Sequence, residues 1–298
     1  MSDPGIVNTA NHQDAMARYP YDYALFHPGV LCKTCELTKP ARSKHCRICK
    51  HCIEKHDHHC AWVNNCLGYN NYHHFLLLLF STGLLLVYGA YLSRGILSDD
   101  LHLVRSQDGV SLLRKDGIYV QPLEPFQKHW SANLGWSEYF ALWRWAIIDD
   151  SYVGIVGLLC VLCAPLSWGL LIFHLYLTWA GMTTNESAKW SKWKDDIEDG
   201  LVFKAKRSRV TTGDAQDLSI TASSAARSPD TASSRWPVCS DQILLFKEDG
   251  VDPGEATLDT EEDVASPWRR VFSLQEVDNL YDLGFWENLL DHFGAIHV

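Results

Sequence analysis

Positive charge is in deficit in this chain: 26 Lys and Arg stand against 36 Asp and Glu, leaving a formal charge of -10. That balance argues against a nucleic-acid-binding protein, which needs clustered cations to meet phosphates. Residues 1–15 hold no apolar run, so no signal-peptide core is expected there. No stretch ahead of the first cysteines is apolar enough to cross a bilayer. Large apolar side chains are nearly missing from 204 to 240, where Ser, Ala and Thr dominate. A disordered linker is therefore expected over 204–270. Apolar residues cluster in two long runs instead, which makes a single soluble core a poor description.

Cysteine is abundant, and in one place. Seven of the ten cysteines fall between Cys32 and Cys66, beside several histidines. Cys32 and Cys35 form a C-x2-C pair, Cys46, Cys49 and Cys52 a C-x2-C-x2-C run, and Cys60 and Cys66 follow. Two-residue spacing lets one tight turn offer two thiolates to a tetrahedral zinc. Thiols paired with histidines in this way also imply a reducing compartment rather than disulfides. Six cysteines and two histidines complete two closed Cys3His sites, leaving one cysteine over. In an extended segment alternate side chains point to opposite faces. His58 and Cys60 then share one face, while His59 points to metal with Cys66 near enough to join it. Cys60 is left as a thiol beside an imidazole, a setting that generates the reactive thiolate near neutral pH. Asp57 can orient that imidazole only if the chain turns between them. The alternative is a purely structural zinc module, a membrane-tethered adaptor without catalysis.

Asp57-His58-His59-Cys60 stands in the frame C-x2-C-x9-HC-x2-C-x2-C-x4-DHHC-x5-C. With it the chain resembles the DHHC protein S-acyltransferases (palmitoyltransferases), over nearly everything from Tyr19 onward. The resemblance implies one zinc on Cys32, Cys35, His45 and Cys52, and a second on Cys46, Cys49, His59 and Cys66. It makes Cys60 the acyl-accepting nucleophile, His58 its base and Asp57 the group that positions His58. It implies palmitoyl-CoA or another long-chain acyl-CoA as donor, and membrane-associated proteins with cytosolic cysteines as acceptors. Trp62 would lie at the mouth of an acyl-chain cavity or serve core packing alone, and the basic cluster of Lys39, Arg42 and Lys44 either meets the phosphates of coenzyme A or forms a solvated face near anionic lipid. Aromatics in the lead-in give a weaker likeness to the fungal endoplasmic-reticulum branch, which points to that membrane and to SNARE proteins as substrates. Members normally have four or more spans, two of them before the zinc region. Their lack here suggests an incomplete form of a longer protein, or a variant that lacks the activity.

The expected fold is a mainly α membrane protein: a cytosolic two-zinc domain with short β-hairpins, then two transmembrane helices flanking a luminal loop. Residues 1–29 read as an irregular lead-in: either a surface linker, or a segment packing Tyr21, Tyr23 and Phe26 on the zinc domain or the membrane face. The zinc domain covers 30–73. Apolar runs at 74–97 and 152–180 are each long enough to span a bilayer. Pro165 is expected to kink the second, His174 to face the interface at its end, and Cys160 and Cys163 to be packing residues. In the loop 98–151, WSEYFALWRWAII has the composition of an interfacial helix. Seven Lys or Arg against two acids between Lys33 and Lys55, and a second basic stretch from Lys189 to Arg209, place the zinc domain and both ends in the cytosol by the positive-inside rule. Segment 181–203 opens with Thr183-Thr184-Asn185-Glu186, which matches the family's T-T-x-E motif; a helix cap is its plain reading. Ser228-Pro229 is a weak phosphorylation site. Residues 271–298 suit an amphipathic helix, and the resemblance gives Asn288 a bracing role.

Overall fold

The computed structural model describes residues 2–99, 102–106, 109–113, 119–120, 136–209, 235–251 and 267–296. Ser228-Pro229 lies outside them. The chain divides into two units, Met1–Leu76 with Phe173–Val298, and Leu77–Ile172.

The first unit opens with α1 (His12–Arg18). Three hairpins follow: β1 (Leu31–Cys32) with β2 (Leu37–Thr38), β3 (Lys44–Cys46) with β4 (His51–Ile53), and β5 (His59–Cys60) with β6 (Asn65–Cys66). Each C-x2-C turn closes the same way. Glu36 and Lys50, directly after the second cysteine, take positive φ (55° and 60°), and their N–H groups reach back to the carbonyls of Cys32 and Cys46 at 2.8 Å. Strands of two or three residues bury little of their own, so these hairpins need an outside staple.

The lead-in is not a surface linker. Ile6 bridges Ile53, and the Val7 N–H donates to Cys52 O at 2.9 Å, extending the sheet at β4. Tyr19, Leu25 and Phe26 enter the main core with Ala41, Trp190, Trp236 and Tyr281. Tyr23 packs on Phe203, Ile243 and Leu245. α5 (Thr184–Glu198) leads into β10 (Val202–Lys206), the centre of a three-stranded antiparallel sheet with β11 (Gln242–Phe246) and β12 (Arg269–Arg270). Composition pointed to a linker over 204–270; three parts of it are strands. The alternation in Val202-Phe203-Lys204-Ala205-Lys206 is short, and its pairing partners come from 36 or more residues later, beyond any local window. Nor is 271–298 one amphipathic helix: a single turn at Leu274–Glu276 and α6 (Phe285–Asp291) are separated by Asn279, Asp282 and Gly284, the last at φ 97°.

α2 (Tyr72–Asp99) and α4 (Ser151–Trp179) carry the apolar runs. Both are long and apolar enough to cross a membrane, and little of either run is buried by protein. Pro165 lies inside α4. Within the second unit the helices meet at small residues: a Cβ on Gly89 would come 2.9 Å from Cys160 Sγ, and one on Gly83 2.9 Å from the Trp168 ring. Such residues let helix backbones approach in an apolar medium. Cys160 is thus a packing residue, as its surroundings suggested. Between the helices lie a sheet of β7 (His102–Ser106), β8 (Gly109–Leu113) and β9 (Tyr119–Val120), and α3 (Trp136–Asp149), which covers the expected interfacial helix.

Candidate active site and metal centres

Two clusters gather on the hairpins. Cys32, Cys35, His45 and Cys52 converge, as do Cys46, Cys49, His59 and Cys66, with every ligand atom of a cluster within 4.8 Å of the others. His45 Nδ1 stands 3.5, 3.4 and 3.9 Å from the sulfurs of Cys32, Cys35 and Cys52. His59 Nδ1 stands 3.8, 3.4 and 3.7 Å from those of Cys46, Cys49 and Cys66. A tetrahedral zinc with ordinary Zn–S and Zn–N bonds sets its ligands roughly 3.6 Å apart. Both donor sets therefore fit zinc. Burial and the neighbouring thiols also push the Cys52 and Cys66 thiols upward, a crowding that a divalent cation relieves.

Cys60 is in neither cluster. It opposes Asn65 across the β5–β6 hairpin, while His59 opposes Cys66. Burial works against ionisation of Cys60, but the Val63 N–H, the His58 side chain and the Trp62 N–H outweigh it and hold the thiol below its usual range. His58 Nδ1 donates to Asp57 Oδ2 at 2.6 Å, so the chain does turn between them. That bond, against the opposing effect of burial, raises the His58 pKa. Asp57 is buried, which favours its protonated form. Bonds from His58 and Thr184 reverse this and keep the carboxyl below its ordinary value.

Thr184 ties the two halves of the site together. Its N–H donates to Asp57 Oδ1 at 2.7 Å and its hydroxyl to Asp57 Oδ2 at 2.9 Å. Thr183 and Glu186 form a capping box at the start of α5. The cap and the functional contact are one device, because the fixed first turn aims Thr184. Glu186 also receives Arg42: Nε to Oε1 at 2.8 Å and Nη2 to Oε2 at 2.7 Å, with Gly181 O at 3.2 Å.

This corrects one expectation. Arg42 does not face coenzyme A phosphates; it is fully buried between Glu186, Asp291 and the rings of Tyr19 and Tyr281. Its two neighbours in sequence are placed differently. Lys39 and Lys44 line a cavity of about 450 Å³ with Tyr21, Phe26, Lys189 and Lys192. Sequence reasoning missed the last two, although their spacing of three on α5 puts them on one helix face.

Trp62 is 97 % exposed. Asn288 Oδ1 accepts from the Leu283 N–H at 2.9 Å, and its Nδ2 donates to Asp282 Oδ1 at 2.9 Å and Trp179 O at 3.3 Å, so it fastens α6 to the end of α4. His174, expected at a membrane interface, is instead buried against His58. Its nine-residue distance from Thr183 gave no warning of this.

Two clusters that fit zinc, two helices of membrane-spanning length and a Cys-His-Asp constellation outside the metal count define the class: a membrane-associated protein with a cysteine-rich, zinc-binding-like domain. The chain belongs to the DHHC palmitoyltransferase family, whose model matches residues 26–191. It is 43 % identical to palmitoyltransferase swf1 of Aspergillus fumigatus over 300 residues, covering 96 % of this chain and 72 % of that protein. It is 40 % identical to palmitoyltransferase SWF1 of Neurospora crassa, covering 98 % and 63 %. Mouse palmitoyltransferase ZDHHC4 is 33 % identical over 190 residues, 62 % of this chain and 49 % of that protein. The chain thus spans 63 % to 72 % of the length of these fungal relatives.

Proposed function

We propose that this chain carries out two-step protein S-acylation through Cys60, with a long-chain acyl-CoA such as palmitoyl-CoA as donor. The observation that carries this is the placement of Cys60 outside both metal clusters and beside an imidazole already bonded to a buried carboxylate. His58 takes the proton from the Cys60 thiol, and the thiolate attacks the thioester carbonyl carbon. The bond from that carbon to the coenzyme A sulfur breaks, and His58 returns the proton to the departing thiolate. A cysteine thiol of the acceptor protein then repeats the exchange: His58 accepts its proton, its sulfur takes the acyl carbon, and Cys60 leaves and is reprotonated. Throughout, Asp57 holds the His58 tautomer with its proton on Nδ1, and Thr184 holds Asp57.

The zincs, once bound, crosslink the hairpins that present Cys60; with four protein ligands each, they have no open position for substrate. Lys39, Lys44, Lys189 and Lys192 supply the cations for the donor's phosphates. Lys44 Nζ is held by Asn185 Oδ1 at 2.7 Å, so part of that cationic wall is preorganised. Trp62 is free to meet the acyl chain or the lipid surface. Acceptors are membrane-associated proteins with cytosolic cysteines, SNAREs among them by the family likeness. The membrane is that of the endoplasmic reticulum, with the zinc domain on the cytosolic side.

Incubation with palmitoyl-CoA tests the reading. The chain is expected to gain a hydroxylamine-sensitive palmitoyl group on the Cys60 peptide, and Cys60→Ser to gain none while still holding two zincs. An intact, zinc-loaded chain that never acquires this adduct would leave an anchored zinc adaptor as the function.

A further inference from the structure

Among the described residues the His58 ring is bonded through Nδ1 to Asp57, and its other nitrogen meets the Cys60 thiol that it serves. The ring can pivot about the bond to Asp57, because torsions onto a planar group are broad. Any pivot swings Nε2, the nitrogen that serves Cys60, away from the sulfur. Something else must fix the plane of the ring. Two aromatic groups do: Phe75 meets it edge-on, centroids 5.8 Å apart at 76°, and His174 lies nearly parallel to it at 5.8 Å and 29°. Both separations are within the range of favourable ring pairs.

His174 is itself immobilised. It is 2 % exposed, its Nδ1 lies 2.9 Å from the Tyr72 hydroxyl, and the rings of Phe75 and Phe173 close on it edge-on at 5.1 and 5.5 Å. Its carbonyl accepts from the Thr178 hydroxyl at 2.9 Å. One of its ring nitrogens is also within 4.8 Å of both the Asp57 carboxylate and a His58 nitrogen. A histidine latched to a tyrosine thus forms a rigid wall behind the His58 ring.

We propose that His174 is a positioning residue for Cys60 chemistry: its latched ring sets the plane of His58 and so aims Nε2 at the thiol. The inference rests on the proposed role of His58, but its test does not depend on acylation alone. Two rates are measured at the Cys60 peptide by mass spectrometry: single-turnover transfer from palmitoyl-CoA across a range of donor concentrations, and alkylation by iodoacetamide, which needs no acyl donor. His174→Ala is expected to lower the saturated acylation rate about 10- to 100-fold, the scale of a misaimed catalytic group. It should leave the half-saturating palmitoyl-CoA concentration within about twofold, and it should slow alkylation. His174→Phe, which restores the wall without its latch, should recover both rates to about the level of Tyr72→Phe. Tyr72→Phe removes only the latch oxygen and should lose several-fold; it carries the test if His174→Ala fails to hold two zincs. Unchanged rates in His174→Ala, or in Tyr72→Phe when that variant carries the test, overturn the proposal. So does a loss confined to donor half-saturation, or one that phenylalanine does not rescue. If the wild-type chain alkylates but never acylates, the acyltransferase reading fails, while the alkylation series still decides the role of His174.

Discussion

Arg42 is a buried cation that two acids share, Glu186 and Asp291. It has a positive φ (62°) and is buried, with its Nε–Nη2 edge on both oxygens of Glu186 and its plane against two tyrosine rings. Removing one partner of such a pair leaves an unpaired buried charge, which costs far more than the intact pair contributes. Lysine cannot replace the fork, because an ammonium reaches one oxygen at a time. Arg42→Lys is therefore expected to cost about 2–4 kcal/mol, read as a lower midpoint in thermal or denaturant unfolding. Because Glu186 also caps the helix that aims Thr184 at Asp57, the same variant should acylate Cys60 more slowly. In the sequence Arg42 looked like one more cation in a basic cluster. The acid that claims it lies 144 residues away, and only folding brings it there.

At the scale of elements, the cysteine hairpins and the two long apolar helices follow opposite rules. α2 and α4 are long, and their backbone hydrogen bonds are satisfied within each helix, so their positions could be read directly from apolar run length. The hairpins have two or three residues per strand, and what they bury is mostly ligand cysteine with Ile53 and Leu37. Their shape is the shape of the ligand sets. Stripping metal with a strong chelator should therefore collapse the region 31–66, seen as new proteolytic sites there and loss of Cys60 acylation, with α2 and α4 unaffected in circular dichroism. Cys32→Ser should reduce bound metal from two ions to one. Ligand spacing made the two clusters legible before any coordinates. Which strand paired with which, and that residues 6–7 extend β4, needed the fold.

At the scale of the whole first unit, the lead-in, α5, the β10–β12 sheet and the C-terminal segment close around one core. Trp236 is a measure of it: it is buried against Tyr19 and Tyr281, and its indole N–H donates to Leu280 O at 3.0 Å. Trp236→Ala is expected to destabilise the unit by about 3–5 kcal/mol, measured by denaturant unfolding of the zinc-loaded chain. A residue in a solvated linker would change nothing. Composition suggested such a linker because the surroundings of Trp236 in sequence are polar. Its apolar neighbours are brought from residues 19 and 281.

Residue type and local spacing were enough for the chemistry: the ligand count, the surplus cysteine, the two long apolar runs and the family frame. What those groups stand next to came from the folded chain. Long-range pairs set the wall behind His58, the partner of Arg42 and the strands of the supposed linker. Spacing along a chain carries no information about contacts that only closure of the core creates.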